Sequence, residues 1–265
     1  MKNAEAKLDR LPGEIRNRIY SHLFDVQRVE ISRSMDENTG HRRLTHKLLP
    51  PRSLRTQTPT MLQYNKKSET QTQLCVPFVS KLFYNDTLCM LYECTQFAFA
   101  NTKCVYKFLS RTPKCAQAAI KHIELHHTMY NEPSSLAHRE IKLRSDKNWY
   151  SLCAKISLTF DALSVLHVDM WVICPSASLE VGEPWSLPLL ALGRREGKGK
   201  QKGLQFVKIQ LRSPRFADVK LEHVARQLEA EMTNPIAMQI REDESIAREL
   251  AGPVRAGKVL RLVFD

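Results

Sequence analysis

Ile120-Lys121-His122-Ile123-Glu124-Leu125 is the most informative stretch of this 265-residue chain, because its apolar-x-x-apolar-x-apolar pattern recurs. Leu163, Leu166 and Val168 repeat it, and so do Leu204, Val207 and Ile209, continued by Leu211. The copies start 43 and then 41 residues apart. Between them lie helix-like segments: Asn148 to Leu163, with Trp149, Leu152, Cys153 and Ile156 on one face; Leu187 to Leu192; and Ala217 to Met232, with Val219, Val224 and Leu228. Strand and helix in alternation predict right-handed crossovers and a parallel sheet. The body is thus α/β: a short, irregular leucine-rich-repeat-like arc of strand–helix units, or a plain α/β sandwich. A last strand is predicted at Val259 to Phe264.

Upstream, Gln96 to Ala100 alternates Phe97 and Phe99, a brief strand. Lys103 to Ser110 reads as a helix closed by the Pro113 turn. Before it, Phe78, Val79, Leu82 and Phe83, then Leu88, Leu91 and Tyr92, form a helical stripe opened by Pro77, which Asn85-Asp86 is expected to break in two. Val26 to Ile31 suits a short strand. From there to about residue 69 the chain is rich in Ser, Thr, Gln, Arg and Pro, with Pro50-Pro51 in its middle, and reads as a disordered basic insertion over about 36–69.

The opening segment, Leu11-Pro12-Gly13-Glu14-Ile15-Arg16-Asn17-Arg18-Ile19-Tyr20-Ser21-His22-Leu23-Phe24, is a short amphipathic helix. Pro12 suits its first position. Ile15, Ile19 and Leu23 recur every fourth residue, widened by Tyr20 and Phe24, while Glu14, Arg16, Asn17 and Arg18 face elsewhere.

The formal charge of +12 is concentrated. Residues 38–68 hold seven Lys or Arg (Arg42, Arg43, Lys47, Arg52, Arg55, Lys66, Lys67) and no acid. A second cluster, Arg194, Arg195, Lys198, Lys200 and Lys202, is opposed only by Glu196. Both read as loops, either solvated and mobile, in contact with nucleic acid, or used as a nuclear import signal. Only Tyr64 is interleaved with them, so base stacking is not expected. Seven scattered cysteines, mostly amid apolar neighbours, read as reduced core thiols of a cytoplasmic or nuclear protein. No signal-peptide run and no apolar stretch near ~18 residues is found, so no membrane is expected.

Catalytic and metal signatures are missing. His122, His126 and His127 invite a zinc reading, but their apolar neighbours place them on a strand, where an i to i+4 separation is ~13 Å. Cys89 and Cys94 lack a second pair to complete a tetrahedral site. Gly193-Arg-Arg-Glu-Gly197-Lys198-Gly199 is one residue short of a phosphate loop and has Gly199 where a hydroxyl would bind magnesium. No Gly-x-Ser-x-Gly or His-Glu-x-x-His occurs. Neither a cofactor nor an enzymatic activity is expected.

The motif Leu11-Pro12-x-Glu14-Ile15-Arg16-Asn17-x-Ile19-Tyr20-x-x-Leu23 resembles the opening of F-box-like domains common in filamentous fungal proteins. Leu74-Cys75-Val76, Phe83-Tyr84-Asn85-Asp86, Leu91-Tyr92-Glu93 and Phe97-x-Phe99 are similar to a second block of that group, and Phe108-Leu109 with Ile120-x-x-Ile123-x-Leu125 to a third. The resemblance implies an F-box-like domain over 8–127 and an α/β repeat-like part over 128–265, continuous with it. It further implies a substrate receptor whose Leu11, Pro12, Ile15, Ile19 and Leu23 contact the Skp-type adaptor of a cullin-based ubiquitin ligase. Some 50 residues separate the first helix from Leu74, a departure from the compact three-helix F-box. The helix then either docks outward or packs inward against residues 78–92. The alternative function is that of a basic nuclear protein contacting nucleic acid through loops 41–67 and 194–202, with Arg42, Arg43, Arg194, Arg195, Lys198, Lys200 and Lys202.

Overall fold

Alternation in the strands writes out two faces of one sheet. A computed structural model describes residues 11–22, 24, 26–35, 42–52, 81–129, 136–172, 179–193 and 204–233. Its strands are β1 (Gln27–Met35), β2 (Arg42–Leu49), β3 (Thr95–Phe99), β4 (His122–Met129), β5 (Val165–Val172) and β6 (Phe206–Arg212). They form a single sheet in the order β2-β1-β3-β4-β5-β6, antiparallel between β1 and β2 and parallel from β1 onward. Its register aligns apolar rows across the strands: Val29, Phe97, Ile123, Leu166 and Val207, then Ile31, Phe99, Leu125, Val168 and Ile209. These rows and the helices over them make one core, so most of the apolar burial lies on one side of the sheet.

The helices are α1 (Gly13–Ser21), α2 (Lys81–Cys94), α3 (Thr102–Leu109), α4 (Lys114–Ala119), α5 (Leu136–Thr159), α6 (Leu187–Gly193) and α7 (Asp218–Thr233). Asn101 caps α3, its side chain accepting from Cys104 N at 3.0 Å. Trp149, Leu152, Cys153 and Ile156 of α5 are buried together, as the sequence pattern predicts. That helix starts twelve residues before the expected Asn148, because its first half is charged and leaves no apolar stripe to read. Lys142 and Asp146 pair there at 3.0 Å, an i,i+4 support. Gly193 closes α6 against α7: a Cβ there would lie 2.9 Å from the Met232 backbone. This packing role is what the glycine of the phosphate-loop-like stretch has in the structure.

Three expectations need correction. Residues 42–49 of the predicted insertion are not disordered but form β2, registered along its full length with β1, and the Ser32 and Thr45 hydroxyls bond across the pair at 2.9 Å. Its charges hide it in the sequence, yet charge is what an outermost strand carries. Asn85-Asp86 does not break α2, because Asn85 is exposed and Asp86 is engaged by Arg16, so neither side chain competes for the helix backbone. Finally, among the described residues neither a leucine-rich-repeat solenoid nor a set of F-box helices is shown. From β3 to β6 the strands do follow one another in sequence order, but the crossovers are unequal: two short helices, then one of 24 residues, then one of seven. Units that differ so much cannot stack as repeats. Strand 259–264 lies outside the described residues.

Cys104 and Cys153 are buried, and burial pushes both thiols up. Cys89 and Cys94 are half-buried and Cys115 is exposed, so the core reading of the cysteines holds for two of the five described.

Candidate functional site

Helix α1 is divided lengthwise. Pro12 stands one residue earlier than expected, at the cap, and its carbonyl accepts from Ile15 N and Arg16 N at 3.0 and 3.1 Å. Tyr20 and Phe24 are buried, with the Tyr20 ring 5.7 Å from that of Phe83 on α2. Arg16, expected to face away, joins this inward side and pairs with Asp86 at 2.8 Å. Leu11, Ile15 and Ile19 remain 36%, 46% and 37% exposed, with Pro12 exposed beside them. The helix therefore packs inward through Tyr20, while Leu11, Pro12, Ile15 and Ile19 stay exposed. Leu23 lies outside the described residues.

On the sheet, the face away from the helices carries His122, Glu124, His167 and Lys208, polar side chains that sequence reading did not assemble. Glu124 is only 2% exposed and accepts two bonds from Arg28, at 2.8 and 2.7 Å. That pairing ties β1 to β4 across β3, where Ala98, in register with Glu124, contributes only a methyl group. The Gln96 side chain accepts from Arg52 N at 2.9 Å and donates to Arg52 O at 3.1 Å, holding the Arg52 guanidinium 3.4 Å from Glu124. Although burial raises the Glu124 pKa, the two arginines outweigh it and hold the carboxyl below its ordinary value. The His122 and His167 rings stack at 5.0 Å, and burial lowers their pKa values to about 3 and about 4. At neutral pH the cluster is thus an ionised carboxylate between two arginines and two neutral imidazoles. With Glu124 held between Arg28 and Arg52, the cluster clamps β1 to β4.

The three histidines separate as strand geometry requires. His122 and His126 share the polar face, while His127 turns to the helix side and stacks flat on Trp149, 4.2 Å between centroids and 2° from parallel. Burial lowers its pKa to about 4. Among the described residues no three His, Cys, Asp or Glu are placed to hold a metal.

A cleft of about 740 Å³ opens where β3, β4, β5 and β6 end, the position at which open α/β sheets most often bind ligands. Arg33, Arg42, Lys103, Arg144 and Arg212 line it, opposed only by Asp169, which accepts from Arg212 at 2.8 Å. Of the predicted nucleic-acid residues, Arg42 reaches this cleft. Arg43 follows it on β2 but does not line it, and Arg194, Arg195, Lys198, Lys200 and Lys202 lie outside the described residues. Arg33, Lys103 and Arg144 were not singled out from sequence. They come from β1, α3 and α5, and no local spacing links them.

Fold and sites together define an α/β protein with one mixed sheet, a helix-covered apolar face and a charged opposite face. The chain belongs to the family described as a domain of unknown function (DUF7730), whose model matches residues 2–185. That span takes in α1 and β1 to β5 and ends before α6. The description of the family names no F-box. No curated protein and no solved structure matches the chain. Among the described residues no helix is long and apolar enough to cross a membrane.

Proposed function

We propose that this chain is a non-enzymatic F-box-like substrate receptor, which docks the Skp-type adaptor of a cullin-type ubiquitin ligase through α1 and holds a protein substrate on its sheet. One observation carries the reading: α1 is fastened on one side by Tyr20, Phe24 and the Arg16–Asp86 pair, yet leaves Leu11, Ile15 and Ile19 in water. A fixed helix with apolar side chains at four-residue intervals is what a helix-in-groove partner covers. Covering each isoleucine is worth on the order of 1 kcal/mol. Tagged full-length chain should co-purify with the endogenous Skp-type adaptor, and an Ile15→Asp, Ile19→Asp double variant should not. An adaptor absent from the wild-type preparation removes the reading.

The alternative, a basic nuclear protein contacting nucleic acid, is favoured by Arg42 lying in a cleft with four other cations. It requires oligonucleotide affinity that falls steeply with salt and vanishes when Arg42, Arg43, Arg194, Arg195, Lys198, Lys200 and Lys202 are neutralised. A flat salt dependence excludes it.

A further inference from the structure

The cleft at the ends of the parallel strands has no part in adaptor docking, since no residue of α1 lines it. Three independent features converge there. The first is charge: five cations from five elements face one carboxylate, and that carboxylate is already taken by Arg212. Among the described residues Arg33, Arg42, Lys103 and Arg144 have no acidic partner, so their mutual repulsion is left uncompensated. The second is the start of α3. Asn101, Thr102 and Lys103 line the cleft, and the first-turn N–H groups of Thr102 and Lys103 have no carbonyl within the helix to bond. The third is a pair of buried side-chain nitrogens without hydrogen-bond partners. His127 is nine-tenths buried, and its Nε2 has no hydrogen-bond partner. Nε of the half-buried Arg33 also has no partner, and both side chains line the cleft.

We infer that this cleft binds the phosphoryl group of a small phosphate ester. A phosphate brings two negative charges and several acceptor oxygens, which meets all three deficits together. Arg33 and Arg144 supply planar guanidinium forks, and Lys103 and the α3 first turn supply N–H donors. A volume of about 740 Å³ is that of a small-molecule site.

The test uses the full-length chain and inorganic pyrophosphate as probe, followed by titration calorimetry at low salt. Wild-type protein should bind at one saturable site. A Lys103→Gln, Arg144→Gln variant changes two exposed side chains and keeps the fold, and it should bind at least about tenfold more weakly. A charge-matched control, Lys81→Gln with Arg226→Gln, alters exposed residues outside the cleft and should stay within about twofold of wild type. Unsaturated binding at about 10 mM probe, where a 1 mM site would be filled, overturns the inference. So does an equal loss in the control. Retention of a bound single-stranded oligonucleotide against excess pyrophosphate overturns it as well, in favour of contact with a polymer.

Discussion

Along β4, Ile123, Leu125 and Met129 point toward the helices, while His122, Glu124 and His126 point to the opposite side. The same alternation continues through β5 and β6, so two environments are separated by the thickness of one backbone. On the helix side, burial is apolar and the contacts are interchangeable in kind. On the other side, burial is largely polar and centres on Glu124, which depends on Arg28 and Arg52. The contrast shows that a sheet can be closed on both faces by different means: dispersion and dehydration on one, a paired charge on the other. His127 crosses the division. It is a polar ring on the helix side, kept neutral and stacked on Trp149.

Acid sharpens this comparison most. His122, His167 and His127 are neutral in the fold, with pKa values of about 3, 4 and 4, whereas in the unfolded chain they protonate near 6.5. The unfolded state therefore binds more protons between these limits. Stability contributed by the three is complete above pH ~6.5 and falls toward pH 4 by up to about 1.4 kcal/mol per pH unit for each. Urea unfolding at pH 7, 6 and 5 should show this slope, and His167→Asn and His127→Asn should each remove about a third of it. A markedly smaller share for His167 would mean that the polar face admits water.

Trp149→Ala tests the apolar side and should cost about 3–5 kcal/mol in denaturant unfolding. Glu124→Gln tests the polar side. It strands the buried Arg28 and should cost about 3 kcal/mol, whereas Arg28→Met with Glu124→Leu should fall within about 1 kcal/mol of wild type. If the double replacement is as damaging as the single one, the clamp is not replaceable by packing and the contrast between faces fails. The smallest effect belongs to Ile15→Asp with Ile19→Asp. Both side chains lie outside the packed half of α1, so stability should drop by no more than about 1 kcal/mol. A larger loss would place them in the core.

Much of the fold was legible because strands with one apolar face announce themselves: β3, β4, β5 and β6 lie where Phe97, Ile123, Leu166 and Val207 alternate with polar residues. The buried stripe of α5 was legible for the same reason. β2 was not, since an outermost strand needs only one apolar side and its Arg42, Arg43 and Lys47 imitate a loop. On α1 the apolar residues were legible but not their division, which depends on where α2 lies. The clamp and the cleft were hidden more deeply. Arg28 meets Glu124 from 96 residues away, and the cations of the cleft come from five elements that only the sheet order brings together.

The two margins of the sheet carry a last lesson. At the β6 margin, the outward N–H of Ile209 is already occupied by the Glu229 carboxylate at 2.7 Å, with Lys208 3.3 Å from the same oxygen. At the β2 margin, the outermost strand carries Arg42, Arg43 and Lys47. Among the described residues, then, one rim has a backbone donor already occupied and the other carries the charges by which outermost strands discourage strand addition.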